Sequence, residues 1–482
     1  MTETDETSYI LSSVTYDRKY SCIGGEEKKC QQSQNAQQSG PSGDETNPTM
    51  SYREAPRHRK LLLVSLVLVD FFGYASFSML APFFPAEAEK KGASQIVVGV
   101  IFGIFELTIF LVSPIIGSFI TKIGAKRTYL SGCMLAGACS IAFGLLDKCQ
   151  GGTLFIVLAF IFRVLEGIGC SMFITAGFAI IANVFPDKAI TVFGALETFC
   201  GLGLLCGPAV GGALYQAGGY QLPFFVVGCA CIMTGVFGYF FLPGHGDASK
   251  SQSRSLFYLL RNPYTWVSAL GCATGSFSMG FLEPTLALKL SILPELNGKT
   301  GLIGLMFMIG AGTYSISAPF WGYIVDKKHC VLSLMSVGNI LGTIAWLLMG
   351  PSPFLKFLHY SLVTISISLF LMGIGSGVSS VPTFRGLLDS ARELGMEDNM
   401  DTHGTVSGFF NSTFSLGAFL GPTLGGILVY KIGFNWAATC LAGLNACTAT
   451  TVILFGICRN SRACGKRQGY QSLKDASPTI IL

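Results

Sequence analysis

Six ionisable residues lie inside long apolar stretches of this sequence. Placing a charged side chain at the middle of a membrane helix costs about 2.5–3.5 kcal/mol, so such a residue normally faces a cavity or a partner. Five of the six are acids and one is a base, so a cavity on which they converged would be negative and would suit cations or protons. The six are Asp70, Glu106, Arg163, Glu166, Glu197 and Glu283.

Two of the acids are the strongest candidates for binding a substrate or protons. Asp70 stands in mid-stretch between Val69 and Phe71, which favours a functional role over structural pairing. Glu283 directly precedes Pro284, so it either binds a ligand or marks the end of a helix. A carboxyl group held in such surroundings has the chemistry of a proton carrier.

The other four residues each have a structural alternative. Arg163 and Glu166 are three positions apart and share a helix face, so they either neutralise each other or take part in coupling, and both readings are compatible. Glu106 and Glu197 either bind substrate and protons or serve as hydrogen-bonding contacts between helices. For Asn411, the pattern favours interhelical hydrogen bonding over substrate contact.

The composition is typical of an integral membrane protein. Half of the 482 residues are apolar and only 12% are charged, with a mean hydropathy of +0.55. The formal net charge of +5 is small for this length and argues against a nucleic-acid partner. Neither a metal-binding histidine spacing, nor a G-x-S-x-G elbow, nor a Walker loop is present in the sequence. We therefore expect no enzyme, no metal and no cofactor, but a carrier driven by an ion gradient.

Twelve apolar stretches are long enough to cross a bilayer as helices. Their connections alternate between rich and poor in Lys and Arg, so the positive-inside rule places both termini in the cytosol. Residues 385–401 alternate apolar and charged residues and predict a cytosolic surface helix. The predicted spans are 61–84, 95–120, 128–147, 153–182, 190–215, 220–242, 264–290, 300–325, 330–350, 358–381, 404–429 and 434–457.

The expected fold is an all-α integral membrane protein with two six-helix halves. The amino-terminal tail is rich in Gln, Ser, Gly and Asn, which is typical of disorder. The linker is too short to hold a further domain. The predicted divisions are a cytosolic tail at 1–60, a first half at 61–243, a linker at 244–263, a second half at 264–457 and a cytosolic tail at 458–482.

An internal repeat relates the two halves. The pattern G-x8-G-x3-G-P-x2-G-G begins at Gly194 and recurs 214 positions later, from Gly408. Glycine lets membrane helices approach closely, and proline opens the helix so that it bends. Parallel halves of this kind are the architecture of facilitator transporters. The predicted hinges are Gly203, Gly207, Pro208, Gly417, Gly421 and Pro422.

The sequence resembles the major facilitator superfamily along all twelve predicted spans. The glycine–proline pattern resembles its antiporter motif. The segment GSFITKIGAKR, from Gly117 through Lys126 to Arg127, resembles its loop motif, although Thr121 stands where that motif carries aspartate. The second half keeps the aspartate, in the segment from Gly322 to Asp326. By this resemblance both segments are gating loops.

Three segments resemble the vesicular amine transporters, which are proton antiporters. They are LVLVDFFGYASFSMLAPFFP with Asp70, RVLEGIG with Arg163, and FLEPTLALKL with Glu283. The overall pattern most resembles the vesicular polyamine transporter branch, since the monoamine and acetylcholine members carry aspartates in spans ten and eleven, whereas here span ten has no acid and Asn411 stands in span eleven. The resemblance implies proton-driven loading of polyamines such as spermine and spermidine into acidic vesicles. It implies that Asp70 and Glu283 are substrate and proton sites and that Arg163 takes part in coupling, whereas Glu106, Glu197 and Glu166 are candidates because of their position inside the spans.

Several alternatives remain open at this point. A drug or organic-cation exporter at the plasma membrane would use the same fold and motif. A non-transporting receptor on this fold would have little reason to keep the buried acids. Residues Tyr470–Leu473 form a Y-x-x-Φ pattern that would bind a sorting adaptor and favour a vesicular address. We expect a monomer in the lipid bilayer, with a small cationic substrate and protons as its partners.

Overall fold

The computed structural model describes residues 56–242, 256–290, 293–294, 300–354 and 360–475. Side chains are not described at 56–57, 95–96, 283–284, 287–288, 300–304 and 462–475. The predicted tail lies outside the described residues up to position 55, and so does the linker from 243 to 255. The side chains of Tyr470–Leu473 are likewise outside the description.

Twelve long helices form the described part of the chain, one at each predicted span. Ten of them are long and apolar enough to cross a membrane by these two criteria. The other two, α7 and α8 below, include side chains outside the description. The helices are α1 Pro56–Ser78, α2 Gln95–Ile123, α3 Ala125–Gly144, α4 Thr153–Val184, α5 Ala189–Gly218, α6 Gln221–Phe241, α7 Pro263–Leu290, α8 Thr300–Lys328, α9 Val331–Met349, α10 Leu362–Glu393, α11 Met400–Ile432 and α12 Phe434–Asp475.

Three predicted boundaries were clearly wrong, one of them at α12, which continues to Asp475 and not only to residue 457. Helix α1 ends at Ser78, not at residue 84, because Pro82 has no N–H to bond the carbonyl of Ser78; a separate short helix, Phe84–Lys90, follows. The predicted surface helix at 385–401 does not exist as such. Helix α10 runs on to Glu393, because Leu387, Leu388 and Ala391 continue its buried face.

Contacts of α2 with α11 and of α5 with α8 are the most extensive ones between the halves. The motif glycines instead hold each half together. A side chain at Gly203 would lie 2.5 Å from the Phe71 carbonyl oxygen of α1, and one at Gly417 would lie 2.5 Å from the Ala273 carbonyl oxygen of α7. Only glycine allows backbones this close. Pro208 and Pro422 lie inside α5 and α11; the bending at these hinges stays a prediction.

Candidate functional site

Asp70 and Glu197 form one cluster at the contact between the halves. Asp70 of α1 is 4% exposed and Glu197 of α5 is 7% exposed. The Tyr314 hydroxyl of α8 donates a hydrogen bond of 2.5 Å to Glu197 Oε2. The two carboxyl groups interact electrostatically, and Asp70 Oδ2 has no hydrogen-bond partner among the described residues. The cluster therefore has an oxygen available to bind a proton or a cation.

Arg163 and Glu166 form a buried ion pair within α4. Arg163 Nη1 lies 2.8 Å from Glu166 Oε2, and the Ser76 hydroxyl of α1 donates to Glu166 Oε1 at 3.0 Å. The guanidinium also lies 4.4 Å from the centre of the Phe105 ring. The local pair expected from the spacing is thus present. It neutralises the only base among the six residues, so three acids with described side chains (Asp70, Glu106 and Glu197) are left without a cationic side chain bonded to them.

Glu106 of α2 faces the second half at the other contact between the halves. It interacts with Ser415 of α11 by a side-chain hydrogen bond and more weakly with Arg163. Glu106, Tyr74 and Asn411 line a small cavity of about 20 Å³. A cavity of this size holds about one water molecule, not an organic cation. A substrate would need further separation of the halves to reach Glu106 through this cavity.

The structure does not test the side chain of Glu283, which lies outside the described residues. The backbone of α7 continues as helix to Leu290. Glu283 is therefore within the helix and not at its end, which removes the helix-end reading of the Glu283–Pro284 pair. Its role in substrate or proton binding stays a prediction.

The loop motifs meet the other half at one end of the bundle. We call this end the basic end; it carries Lys122, Lys126, Arg127, Lys327 and Lys328.

In the second half, Asp326 at the end of α8 caps the start of α5. Its Oδ2 accepts hydrogen bonds from the Thr191 backbone N–H at 2.7 Å and from the Thr191 hydroxyl at 2.6 Å, and Oδ1 accepts from the Ile190 N–H at 3.4 Å. Gly322 packs directly on the backbone of Ile190. A carboxylate at a helix N-terminus also interacts favourably with the helix dipole.

In the first half, the equivalent contact has a different chemistry. Thr121 at the end of α2 donates a hydrogen bond of 2.8 Å to Asp401 Oδ1 in the first turn of α11. Gly117 packs on Gly404, as Gly322 packs on Ile190. In this contact the acid therefore lies on α11, and the loop motif at the end of α2 supplies the hydroxyl group. Lys126 does not join this contact; its Nζ donates to the Leu242 carbonyl oxygen at 3.2 Å, and Arg127 is exposed.

Four buried phenylalanines fill the space between the halves near the basic end. The rings of Phe178 and Phe193 lie 4.9 Å apart, and Phe193 stacks on Phe384 at the same distance. Phe410 contacts all three. They come from α4, α5, α10 and α11, so they join the halves by aromatic packing. The halves are closed on each other at this end.

Comparisons with known proteins agree with this architecture. The family model described as Major Facilitator Superfamily matches residues 66–396. The chain belongs to the major facilitator superfamily. It is therefore a multi-pass membrane transporter and not an enzyme, and the family resemblance of the sequence motifs is confirmed.

Relatives within the superfamily carry transporter names. The chain is 38% identical over 448 residues to the Homo sapiens MFS-type transporter SLC18B1, covering 92% of this chain and 96% of the relative. It is 25% identical over 365 residues to the Rattus norvegicus chromaffin granule amine transporter, covering 72% and 63%. The solved structure of the human organic anion transporter MFSD10 has a TM-score of 0.64 at 18% identity and covers 83% of this chain and 100% of its own. That last likeness shows the facilitator fold alone.

Most of the neutral side chains that contact the buried acids and join the halves could not be identified from the sequence. Nothing local to Tyr314 indicated its contact with Glu197, which lies 117 positions away. Ser76, Ser415 and the phenylalanine cluster gave no signal either, because hydroxyl and phenyl groups are common in membrane helices. Asp401 had one usable signal: it lies three positions before the predicted span at 404–429, where an acid favours the start of a helix. Asn411 does make the interhelical hydrogen bond that was favoured, to Ser113 Oγ at 2.8 Å.

Proposed function

We propose that this chain is a proton-coupled antiporter that loads organic polycations, such as spermine and spermidine, into acidic vesicles. The carrying observation is the charge balance of the buried site. Arg163 is neutralised by Glu166, whereas among the described residues Glu106 and Glu197 are hydrogen-bonded by hydroxyl groups and Asp70 Oδ2 has no hydrogen-bond partner. Several separated carboxyl groups suit a cation with more than one amine.

The names of the relatives support an amine substrate. Two of them are the chromaffin granule amine transporter and the Homo sapiens synaptic vesicular amine transporter, the latter 25% identical over 358 residues. The chain differs from an anion carrier because, among the described side chains, Arg163 is the only buried lysine or arginine within the spans, and it is paired with Glu166. A cation would therefore be bound by the acids without displacing a resident basic side chain.

The proposed mechanism is competition for the same carboxyl groups. Protons entering from the acidic compartment neutralise the acids and release the cation there. The cation then replaces the protons when the site faces the cytosol, and the halves alternate between the two openings. No cofactor takes part, because the proton gradient supplies the free energy. Vesicular location, cytosolic termini and an adaptor at Tyr470–Leu473 belong to the same proposal.

Transport in liposomes with an acidic interior tests this function. The purified protein would be reconstituted, and uptake of labelled spermidine, serotonin and acetylcholine would be measured with and without a proton ionophore. We expect ionophore-sensitive spermidine uptake that is lost in Asp70→Asn and Glu283→Gln. Asp187→Asn is the matched control, since this exposed carboxyl group lies outside the site and its loss should leave uptake unchanged.

Other outcomes discriminate the alternatives. Uptake of serotonin or acetylcholine but not spermidine would replace the polycation with a monoamine or choline ester. Uptake of none of the three would refute the vesicular amine assignment. If uptake occurs but the protein is found at the plasma membrane of cells, the exporter alternative replaces vesicular loading.

A further inference from the structure

Each of the two contacts between the halves contains one hydrogen bond that is equivalent to a hydrogen bond in the other contact. In the α5–α8 contact, the Thr198 hydroxyl donates to the Ser315 carbonyl oxygen at 2.7 Å. In the α2–α11 contact, the Ser412 hydroxyl donates to the Phe110 carbonyl oxygen at 2.7 Å. Thr198 and Ser412 are related by the same 214-position offset as the repeated motif. The two contacts are therefore directly comparable, residue by residue.

The residues immediately before these two hydroxyls differ in chemistry. Glu197 precedes Thr198, and it accepts the 2.5 Å hydrogen bond from Tyr314. Asn411 precedes Ser412, and its Nδ2 donates to Ser113 Oγ at 2.8 Å. The four hydrogen-bonded side chains, Glu197, Tyr314, Asn411 and Ser113, lie within the protein. Glu197 and Asn411 are less than 8% exposed. One contact thus contains a group that gains and loses a proton, and the other contains a neutral amide in the same place.

The surroundings of Glu197 make Tyr314 its principal partner. The titratable groups that face it are Asp70 and Tyr74 from α1, Cys200 on its own helix, Cys272 from α7 and Tyr314 from α8. Among the described residues no lysine, arginine or histidine pairs with it. The hydrogen bond that crosses from Glu197 to the other half is the one donated by Tyr314.

We propose that Tyr314 is a positioning residue for Glu197 and that their hydrogen bond makes the α5–α8 contact, but not the α2–α11 contact, respond to protonation of Glu197. The inference deepens the proposed function and rests on it for its role in coupling. A hydrogen bond to an ionised acceptor is roughly twice as strong as one between neutral groups. Ionised Glu197 therefore holds the halves together at α5–α8, and its protonation loosens that contact.

A double-mutant cycle on the purified full-length protein tests the inference without any substrate. The variants are Glu197→Met, Tyr314→Phe and the double variant, and the reading is the non-additive part of the change in Tm at pH 8 and pH 5. We expect this coupling to fall from pH 8 towards pH 5, by about half once Glu197 is fully protonated, because the charge assistance is then lost. A second cycle uses Glu197→Gln as its starting protein instead of the wild type. Its coupling should not depend on pH, because an amide does not titrate.

The α2–α11 contact supplies the matched control. The cycle of Asn411→Ala and Ser113→Ala should give a coupling that is equal at the two pH values. If Glu197→Met does not fold, the Tm difference between wild type and Tyr314→Phe alone still has to shrink from pH 8 to pH 5. A Glu197–Tyr314 coupling that is equal at both pH values overturns the inference.

Transport then separates this inference from the proposed function. We expect Tyr314→Phe to shift the pH profile of spermidine uptake while Ser113→Ala leaves it in place. If the coupling depends on pH but the protein transports no amine, the proton-sensitive contact is supported and the proposed substrate is refuted. Uptake lowered by the same factor at every pH in Tyr314→Phe would mean a merely structural role and would overturn the positioning role.

Discussion

The two halves of the molecule have the same framework but different chemistry at equivalent positions. Gly132 of α3 packs on Gly169 and Phe173 of α4, and 206 positions later Gly338 packs on Gly375 and Ser379. The approach of the helices is therefore the same in both halves. It is set by glycine, which imposes no chemistry of its own on the residues around it.

The buried ion pair is present in one half only. With the same offset of 206, Arg163 and Glu166 correspond to Leu369 and Met372. Around Met372 the second half has neutral groups, including Asn445, whose Nδ2 donates to Ser278 Oγ at 3.2 Å, and a cavity of about 10 Å³. Among described side chains, the buried acids in the middle of the spans all belong to the first half, whereas buried Asp401 of the second half lies in the first turn of α11. Around the acids of the first half, the second half contributes hydroxyl and amide groups. The first half thus supplies charged groups, and the second half supplies neutral hydrogen-bonding groups.

Exchanging the ion pair for its counterparts gives the largest expected effect. Arg163→Leu alone leaves Glu166 buried without its partner and should cost about 3–5 kcal/mol of stability. Arg163→Leu with Glu166→Met copies the second half and should recover most of that loss, because a buried pair replaced by apolar residues is often neutral. The free energy of unfolding in detergent measures both. A double variant as unstable as the single one would mean that the halves are not interchangeable here.

The two contacts at the basic end should differ in strength. Asp326→Ala removes an ionised acceptor of hydrogen bonds from α5 and should cost about 1.5–3 kcal/mol, whereas Thr121→Val removes one hydroxyl donor and should cost about 0.5–1.5 kcal/mol. Hydrogen exchange of the first turns of α5 and α11 locates each loss. Equal protection losses at both helices would contradict the asymmetry seen in the structure.

The smallest expected effect concerns an acid–histidine pair that the first half lacks. Asp398 Oδ1 lies 2.7 Å from Nε2 of buried His403, and Arg392 lies 3.2 Å from Asp398 Oδ2. The equivalents 214 positions earlier are Val184 and Ala189. The hydrogen bond with His403, followed by the charges of His403 and Arg392, lowers the pKa of Asp398 from 3.8 to about 2.

The sign of the pH dependence follows from this lowered pKa. The stability that Asp398 contributes is fully present above pH 3.8 and is lost as the pH falls through about 2. Asp398→Asn should therefore lower the Tm slightly at pH 7, and the difference from wild type should shrink between pH 4 and pH 2. Glu397→Gln, one position away, controls for loss of a carboxyl group. A difference that is constant across this range would mean that the hydrogen bond does not depend on charge.

The fold could be predicted from the sequence because its determinants are local or repeated. Each apolar stretch of about 20 residues must form a helix in a bilayer, where every backbone polar group needs an internal partner. The repeat from Gly194 and Gly408 then indicated two related halves. Errors occurred at helix ends such as Ser78 and Glu393, where a proline or a continued buried face decides the boundary.

The candidate site was predicted only in part. Asp70, Glu106, Glu197 and Arg163 could be found because a charged residue in an apolar stretch is rare enough to stand out. The pairing of Arg163 with Glu166 followed from their spacing on one helix. Partners such as Tyr314 and Ser415 could not be found, because their residue types are common and their helices are distant in sequence.

The sequence by itself determined that the chain is a helical membrane protein with two related halves and acids inside its spans. Only the tertiary structure decided which acid faces which partner: Glu197 meets Tyr314 across the halves, and Thr121 meets Asp401 in place of the expected aspartate. The physical reason is that helix formation depends on neighbours a few residues apart, whereas these contacts depend on how far each helix is rotated and shifted against another. Glycine at the crossings and phenylalanine between the halves set those rotations; the glycine pattern is visible in the sequence, but the backbone that each glycine meets is not.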